Sequence, residues 1–336
     1  MRAAPGWRGV GLEPSVVWDA GVHIESTLLW FDPRRPRDFC LLTNTRAHLG
    51  ERQTRLLKSD MTARLLNSVA GRRLPGLVSP FGRPVNLGNL AIEMFPSGYV
   101  AGAASYRVTL PSGSTLVYSG PFAGVANRTA EKRETRRADF LVLDATYGAP
   151  RFALPNRGEA EDALDGWLHG TLADGLTPVL LVANPGKAQD ILHFLGERGH
   201  RARLHRTVHE WSAAYRAAGW SLPAAPQFRG APATSEVLLW PAHLRRSSAI
   251  RNLRRARFAA ATGWAAEPGS EKRLKVSRIF NWSCRADFPA LLQYARDTQP
   301  KRVWTVGRHA VELATALAEQ GLAASPLRES PQLRLL

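Results

Sequence analysis

The chain has 336 residues, 44% of them hydrophobic, long enough for two domains with a sizeable core. No window approaches the roughly 18 uninterrupted apolar residues of a membrane span. The opening residues, Met1 to Arg8, lack a signal-peptide core, so a cytoplasmic protein is expected. Its 45 Lys and Arg against 28 Asp and Glu leave a net charge of +17. Such an excess favours polyanions, which release counterions on neutralisation. A membrane surface is the weaker competing reading, because no basic amphipathic helix carries a Trp, Phe or Leu insertion face. Two cysteines, Cys40 and Cys284, make neither a disulfide framework nor a zinc knuckle.

In chain order, residues 8–122 read as short strands separated by Gly and Pro turns. Val16 to Trp30 and Arg107 to Ser119 alternate in the manner of half-buried strands. Leu56, Leu57, Met61, Leu65 and Leu66 space an amphipathic helix over residues 53–69. Pro111-Ser112-Gly113-Ser114 joins two arms of a hairpin. From about residue 158 helices and strands alternate: a helix at 159–172, a strand at 178–183, a helix at 187–198, a strand at 202–205, a helix at 208–218 and a strand at 236–240. A basic helix follows. A helix at 288–295, a strand at 302–306 and a helix at 309–320 close the chain.

Several short motifs recur in a telling order. Thr43-Asn44-Thr45-Arg46-Ala47-His48-Leu49 follows the apolar strand Phe39 to Leu42. Pro96-Ser97-Gly98-Tyr99, Tyr118-Ser119-Gly120-Pro121-Phe122 and Asp144-Ala145-Thr146-Tyr147-Gly148 come next. Ser283-Cys284-Arg285-Ala286-Asp287 and Arg302-Val303-Trp304-Thr305-Val306-Gly307 lie near the end. Together they resemble, collinearly and over nearly the whole chain, the metallo-β-lactamase and β-CASP nucleases, closest to the bacterial ligase-associated DNA exonucleases. The segments Pro178 to Leu181, Gly186 to Leu192 and Tyr215 to Gly219 carry that last likeness.

The resemblance implies an αβ/βα four-layer sandwich over residues 1–155 plus 276–336, with an inserted β-CASP α/β domain over 156–275. It also implies two-metal phosphodiester hydrolysis. Yet the positions of the metal-binding histidines and aspartates hold Asn44, Arg46, Leu49, Tyr99, Pro121 and Gly307, and Arg285 stands at the catalytic histidine. Asp144 and Asp287 keep matching acidic positions, and His48 falls where the family has Asp. A guanidinium is a fixed positive charge that repels a cation.

The expectation is therefore a nucleic-acid-binding member of the family, in DNA repair or processing, without a metal cofactor. The alternative is an exonuclease with a rebuilt single Mn or Mg site using Asp144, Asp287 and His48. A third reading is an inactive subunit beside an active homologue or DNA-repair proteins. Arg46 and Arg285 either hold phosphate in the cleft or pair with Asp144 or Asp287. The basic stretch from His243 to Phe258 carries six arginines. Arg245, Arg246, Arg251, Arg254 and Arg255 are its candidates for phosphate contact, the last three on one helical face. Lys187, opening a helix after Asn184-Pro185-Gly186, could hold one phosphate. His169, His193 and His200 read as surface or packing residues.

Overall fold

The computed structural model describes residues 13–47, 53, 55–230 and 235–329. His48 and Leu49, part of the expected ligand frame, lie outside the described residues. The chain begins with β1 (Val16–Trp18), β2 (Val22–Ile24), β3 (Leu29–Phe31), β4 (Phe39–Leu41) and β5 (Leu56–Ser59). Helix α1 (Asp60–Ala70) and β6 (Leu77–Ser79) follow. The six strands make one sheet in sequence order. Leu56 and Leu57, expected in a helix, are strand residues instead; α1 starts only after Ser59, whose side chain accepts from the Thr62 amide.

A second sheet is built from β7 (Val85–Leu87), β8 (Leu90–Pro96), β9 (Ala104–Thr109), β10 (Thr115–Tyr118) and β11 (Phe140–Asp144). Two strands from the far end of the chain join it later. The two sheets share one core, and strand alternation explains how. On β3, Leu29 and Phe31 enter that core while Trp30 faces Cys40 and Leu56 on the other side. On β11, Phe140 and Val142 enter it while Leu141 and Leu143 point to the outer face. Buried Tyr106 on β9 ties the sheets together, its hydroxyl donating to the carbonyls of Leu42 at 2.7 Å and Leu57 at 3.1 Å.

Helix α2 (Arg157–Ala173) opens the next unit. It continues with β12 (Thr177–Val182), α3 (Lys187–Glu197), β13 (Arg201–Leu204), α4 (Arg206–Ala217) and β14 (Glu236–Pro241). Then come the short α5 (Ser248–Arg251), β15 (Ala256–Ala261), α6 (Ser270–Leu274) and β16 (Arg278–Phe280). The five strands form an all-parallel sheet in the order β13-β14-β12-β15-β16. Both of its faces are covered, which is why β12 reads as one apolar run: Leu180 and Val182 face one cluster, Val179 and Leu181 another. Because β16 pairs with β15, this sheet runs through Phe280, past the boundary expected at residue 276.

The expected basic helix is not formed as one piece. Ala242–Leu244 forms one 3-10 turn, only Ser248–Arg251 is α-helical, and Arg254 and Arg255 lie in the turn leading into β15. Ile250 alone of this helix is fully buried, so too little apolar surface is available to hold a longer one. Arg251, Arg254 and Arg255 therefore do not share a helical face, although all three are exposed.

The chain ends with α7 (Phe288–Thr298), β17 (Arg302–Val306), α8 (Ala310–Glu319) and β18 (Ala324–Pro326). β17 pairs parallel with β11, extending the second sheet, and α7 and α8 cover its outer face through Leu291, Tyr294, Leu313 and Leu317. The whole is a mixed α/β structure with three sheets. Where the units meet, Gly186 (φ 101°) packs so tightly on Val100 that an added Cβ would lie 2.1 Å from its Cγ1. A polar network closes the same junction. Arg128 bonds both Glu161 oxygens at 2.7 and 3.0 Å, Trp282 Nε1 donates to Asp190 at 2.7 Å, and Arg157 pairs with Asp190 and Glu161.

Candidate nucleic-acid interface

The loops after β4, β8 and β11 and the ends of β12 and β15 meet at one cavity of about 440 Å³ between the first two sheets and the parallel sheet. Arg46, Tyr99, Lys187, Trp264, Cys284 and Arg285 are among its walls. Parallel strands deliver their C-terminal ends to one place, so residues distant in sequence meet here.

Asp144 ends β11. Its Oδ1 accepts from the Thr146 amide at 3.1 Å and the Thr146 hydroxyl at 2.7 Å. Its Oδ2 accepts from Arg285 Nη1 at 2.9 Å, and the same nitrogen lies 2.6 Å from Thr146 Oγ1. The Arg285 guanidinium also stands over the Tyr99 ring, 5.0 Å from its centre. Burial works against this charge, but Tyr99 and Asp144 more than offset it and hold its pKa above the ordinary arginine value. Both oxygens of the one carboxylate at the end of β11 are thus taken up by the chain itself.

Arg46 follows a tight turn in which Asn44 Oδ1 accepts from the Arg46 amide at 2.9 Å. Its guanidinium is exposed and donates to Tyr99 Oη at 2.8 Å. Among the described residues no carboxylate pairs with it. Of the two arginines expected to hold phosphate or form an ion pair, Arg285 is paired and Arg46 is not.

Asp32 lies close behind and was not singled out by its sequence. Its carboxylate accepts from the Thr43 amide at 2.8 Å and from the Thr43 hydroxyl. Burial raises its pKa from 3.8 to about 6, against the lowering effect of the Thr43 bonds, and nearby Asp144 pushes it the same way. Burial likewise pushes the Cys284 thiol up to about 12, so it offers no thiolate near neutral pH. Gly307 places no side chain toward the site, and an added Cβ would meet Asp144 Oδ1 at 3.4 Å.

Other expected site residues are placed differently. Asp287 caps α7, accepting from the Ala290 amide at 3.2 Å and the Leu154 amide at 3.3 Å, and lines two other cavities, of about 190 and 510 Å³, rather than the one that holds Arg46 and Arg285. Each of its carboxylate oxygens accepts from one backbone amide. Lys187 does reach the cavity wall, but it is buried and its ammonium donates to the Ala261 carbonyl at 3.1 Å. Burial lowers its pKa from 10.5 to about 8. Trp264 and Arg273 also line the cavity; Arg273 is exposed and donates to Ser270 Oγ at 2.9 Å.

The basic segment begins beside Ala242, itself a cavity residue. Arg246, Arg251, Arg254 and Arg255 are exposed, Arg245 is partly so, and none has a carboxylate partner among the described residues. Arg257, by contrast, pairs with Asp174 at 2.9 Å. Arg46 and Arg273, which line the cavity, and the arginines of this segment are thus cations without a carboxylate partner among the described residues. None of the described helices is long and apolar enough to cross a membrane.

Comparison with known proteins adds the following. No protein-family model matches the chain. It is similar to a chain named "Probable DNA ligase" from Opitutus terrae, with 28% identity over 95% of this chain and 32% of that one. It is also similar to the transcription termination factor FttA of a Lokiarchaeum species, 33% identical over 32% of this chain and 18% of that factor. A third relative is the endoribonuclease YSH1 of Yarrowia lipolytica, 32% identical over 37% of this chain and 14% of that enzyme. The chain therefore spans about a third of the first relative's length and less of the others. These likenesses support kinship with the metallo-β-lactamase and β-CASP nucleases that the motifs carry.

Proposed function

We propose that this protein is a nucleic-acid-binding member of the β-CASP nuclease family whose two-metal centre has been replaced by fixed arginine charge. In this reading the first two sheets with α1, α7 and α8 form the αβ/βα sandwich, and the chain from about residue 156 to Phe280 is the β-CASP insert.

The observation that carries the reading is the Arg285–Asp144 pair, 2.9 Å apart. A catalytic zinc site needs about three protein donors and an open position. Beside the cavity the carboxylate of Asp144 is bound by Arg285 and Thr146 and that of Asp32 by Thr43, and burial raises the pKa of the Cys284 thiol on its wall. The donor set does not fit two cations. Two guanidiniums can still receive a phosphodiester, since a planar fork matches phosphate oxygens. They cannot generate hydroxide from water. Trp264 offers a face for base stacking.

The nearly full-length likeness to a chain named as a DNA ligase supports DNA as the polymer and repair as the setting. The test pairs binding with turnover. Labelled single- and double-stranded DNA and RNA are titrated at low salt, and the same substrates are incubated with Mn²⁺ or Mg²⁺. Binding without cleavage is expected. Mn²⁺-dependent cleavage that vanishes in Asp144→Ala would overturn the reading in favour of an exonuclease.

A further inference from the structure

We propose that Asp165, His169 and His200 form a binding site for one zinc-class divalent ion on the inserted unit, separate from the central cavity. Asp165 and His169 stand one turn apart on the same face of α2. His200 comes from the turn between α3 and β13. In the sequence both histidines read as surface or packing residues. Folding brings them within contact of each other, ring centres 4.9 Å apart.

One donor atom from each residue lies within 4.8 Å of the other two. Metal bonds of about 2.0–2.1 Å place tetrahedral donors roughly 3.4 Å apart. The Asp165 Oδ1–His200 Nε2 hydrogen bond, now 2.6 Å, has to open by less than about an ångström to reach that spacing. The remaining separations close by up to about 1.4 Å. His169 Nδ1 lies 3.6 Å from Asp165 Oδ1 and 3.0 Å from the Asp165 carbonyl, so the ring gives up that backbone contact or turns when an ion binds.

The surrounding charge is compatible with a cation. Arg198 lies 3.6 Å from the other Asp165 oxygen and 2.9 Å from Asp162. Two carboxylates therefore face one guanidinium, and the Asp165 oxygen turned toward the imidazoles is not the one Arg198 approaches. Two imidazoles and a carboxylate suit Zn²⁺, Co²⁺, Ni²⁺ or Cu²⁺; an all-oxygen shell would be needed for Mg²⁺ or Ca²⁺. His200 is 6% exposed and His169 67%, so one ligand is held rigidly and the outer positions are open to water. A metal here would clamp α2 against the α3–β13 turn, fixing the edge of the inserted sheet.

The experiment uses metal-stripped full-length protein titrated with Zn²⁺ by calorimetry, with Co²⁺ absorption as a second readout. One Zn²⁺ per chain and a raised thermal midpoint are expected. His169→Ala, at an exposed position that folding tolerates, and His200→Ala should each weaken binding by about tenfold or more, while His209→Ala, on α4 outside the cluster, should not. No binding by the wild type would overturn the proposal. So would binding unchanged in both histidine variants, or Mg²⁺ competing on equal terms.

Discussion

Arg285 Nη1 lies 2.9 Å from Asp144 Oδ2, with Thr146 Oγ1 touching both partners. The side chains are 28% and 17% exposed, so the pair is only partly desolvated. Removing either partner leaves a charge with poor solvation. Arg285→Ala and Asp144→Ala should each lower stability by about 1–3 kcal/mol. The double variant should lose less than the sum, with a coupling of roughly 0.5–3 kcal/mol. Urea unfolding of all four proteins measures this cycle; strict additivity would mean the pair contributes nothing.

Arg46 presents the opposite case. It is exposed, bonded only to Tyr99 Oη, and unopposed by any described carboxylate. Arg46→Ala should therefore leave the thermal midpoint within a degree or two while weakening nucleic-acid binding by about 1–3 kcal/mol, the value of a hydrogen bond to a charged group. Unchanged affinity at a matched midpoint would remove Arg46 from the interface.

The segment from Arg245 to Arg255 should act through charge rather than shape. If about four to six phosphates are neutralised overall, log K falls with log salt at a slope near −4 to −5. Each of Arg246→Glu, Arg251→Glu and Arg254→Glu should weaken binding alike across sequences and flatten the slope by about one. Sequence-dependent losses would instead indicate base contacts. A slope that does not change would place the segment away from the polymer.

Much of this was legible in the sequence, and the failures have physical causes. Strands were readable where burial is one-sided, as on β9 and β10, or two-sided, as on β12, because alternation or a pure apolar run follows directly. Leu56 and Leu57 misled because two adjacent leucines fit a buried strand as well as a helix. The arginine-rich stretch has helical spacing but almost no apolar face, and spacing alone does not hold a helix. At the site, collinear motifs pointed to Arg46 and Arg285, which line one cavity, and to Asp144, which Arg285 holds beside it. They could not reveal that Asp287 is consumed as a helix cap, or that Asp32 lies behind Thr43, since those depend on which backbone amides the fold leaves unpaired. The Asp165 and His169 spacing on α2 was a visible signal; its third member, His200, becomes a neighbour only after folding.

Lys187 gives a test of the cavity's electrostatics that does not depend on nucleic acid. Burial, with Arg157 and Arg46 nearby, lowers its pKa from 10.5 to about 8. Below pH 8 both folded and unfolded chains carry the proton, and the folded state bears the full cost of the buried ammonium. Between about pH 8 and 10.5 the folded chain has released that proton while the unfolded chain still holds it. The unfolded state then binds more protons, so stability contributed by this site rises with pH across that window. Lys187→Met keeps the apolar stem and removes the titration, together with the bond to the Ala261 carbonyl. The stability of the wild type relative to this variant should therefore increase from about pH 7 to about pH 10, by on the order of 1–3 kcal/mol. Other titrations cancel in the comparison. A gap that stays constant over the range would mean that the ammonium is solvated in the cavity, and one that narrows would mean that an unrecognised anion stabilises it there.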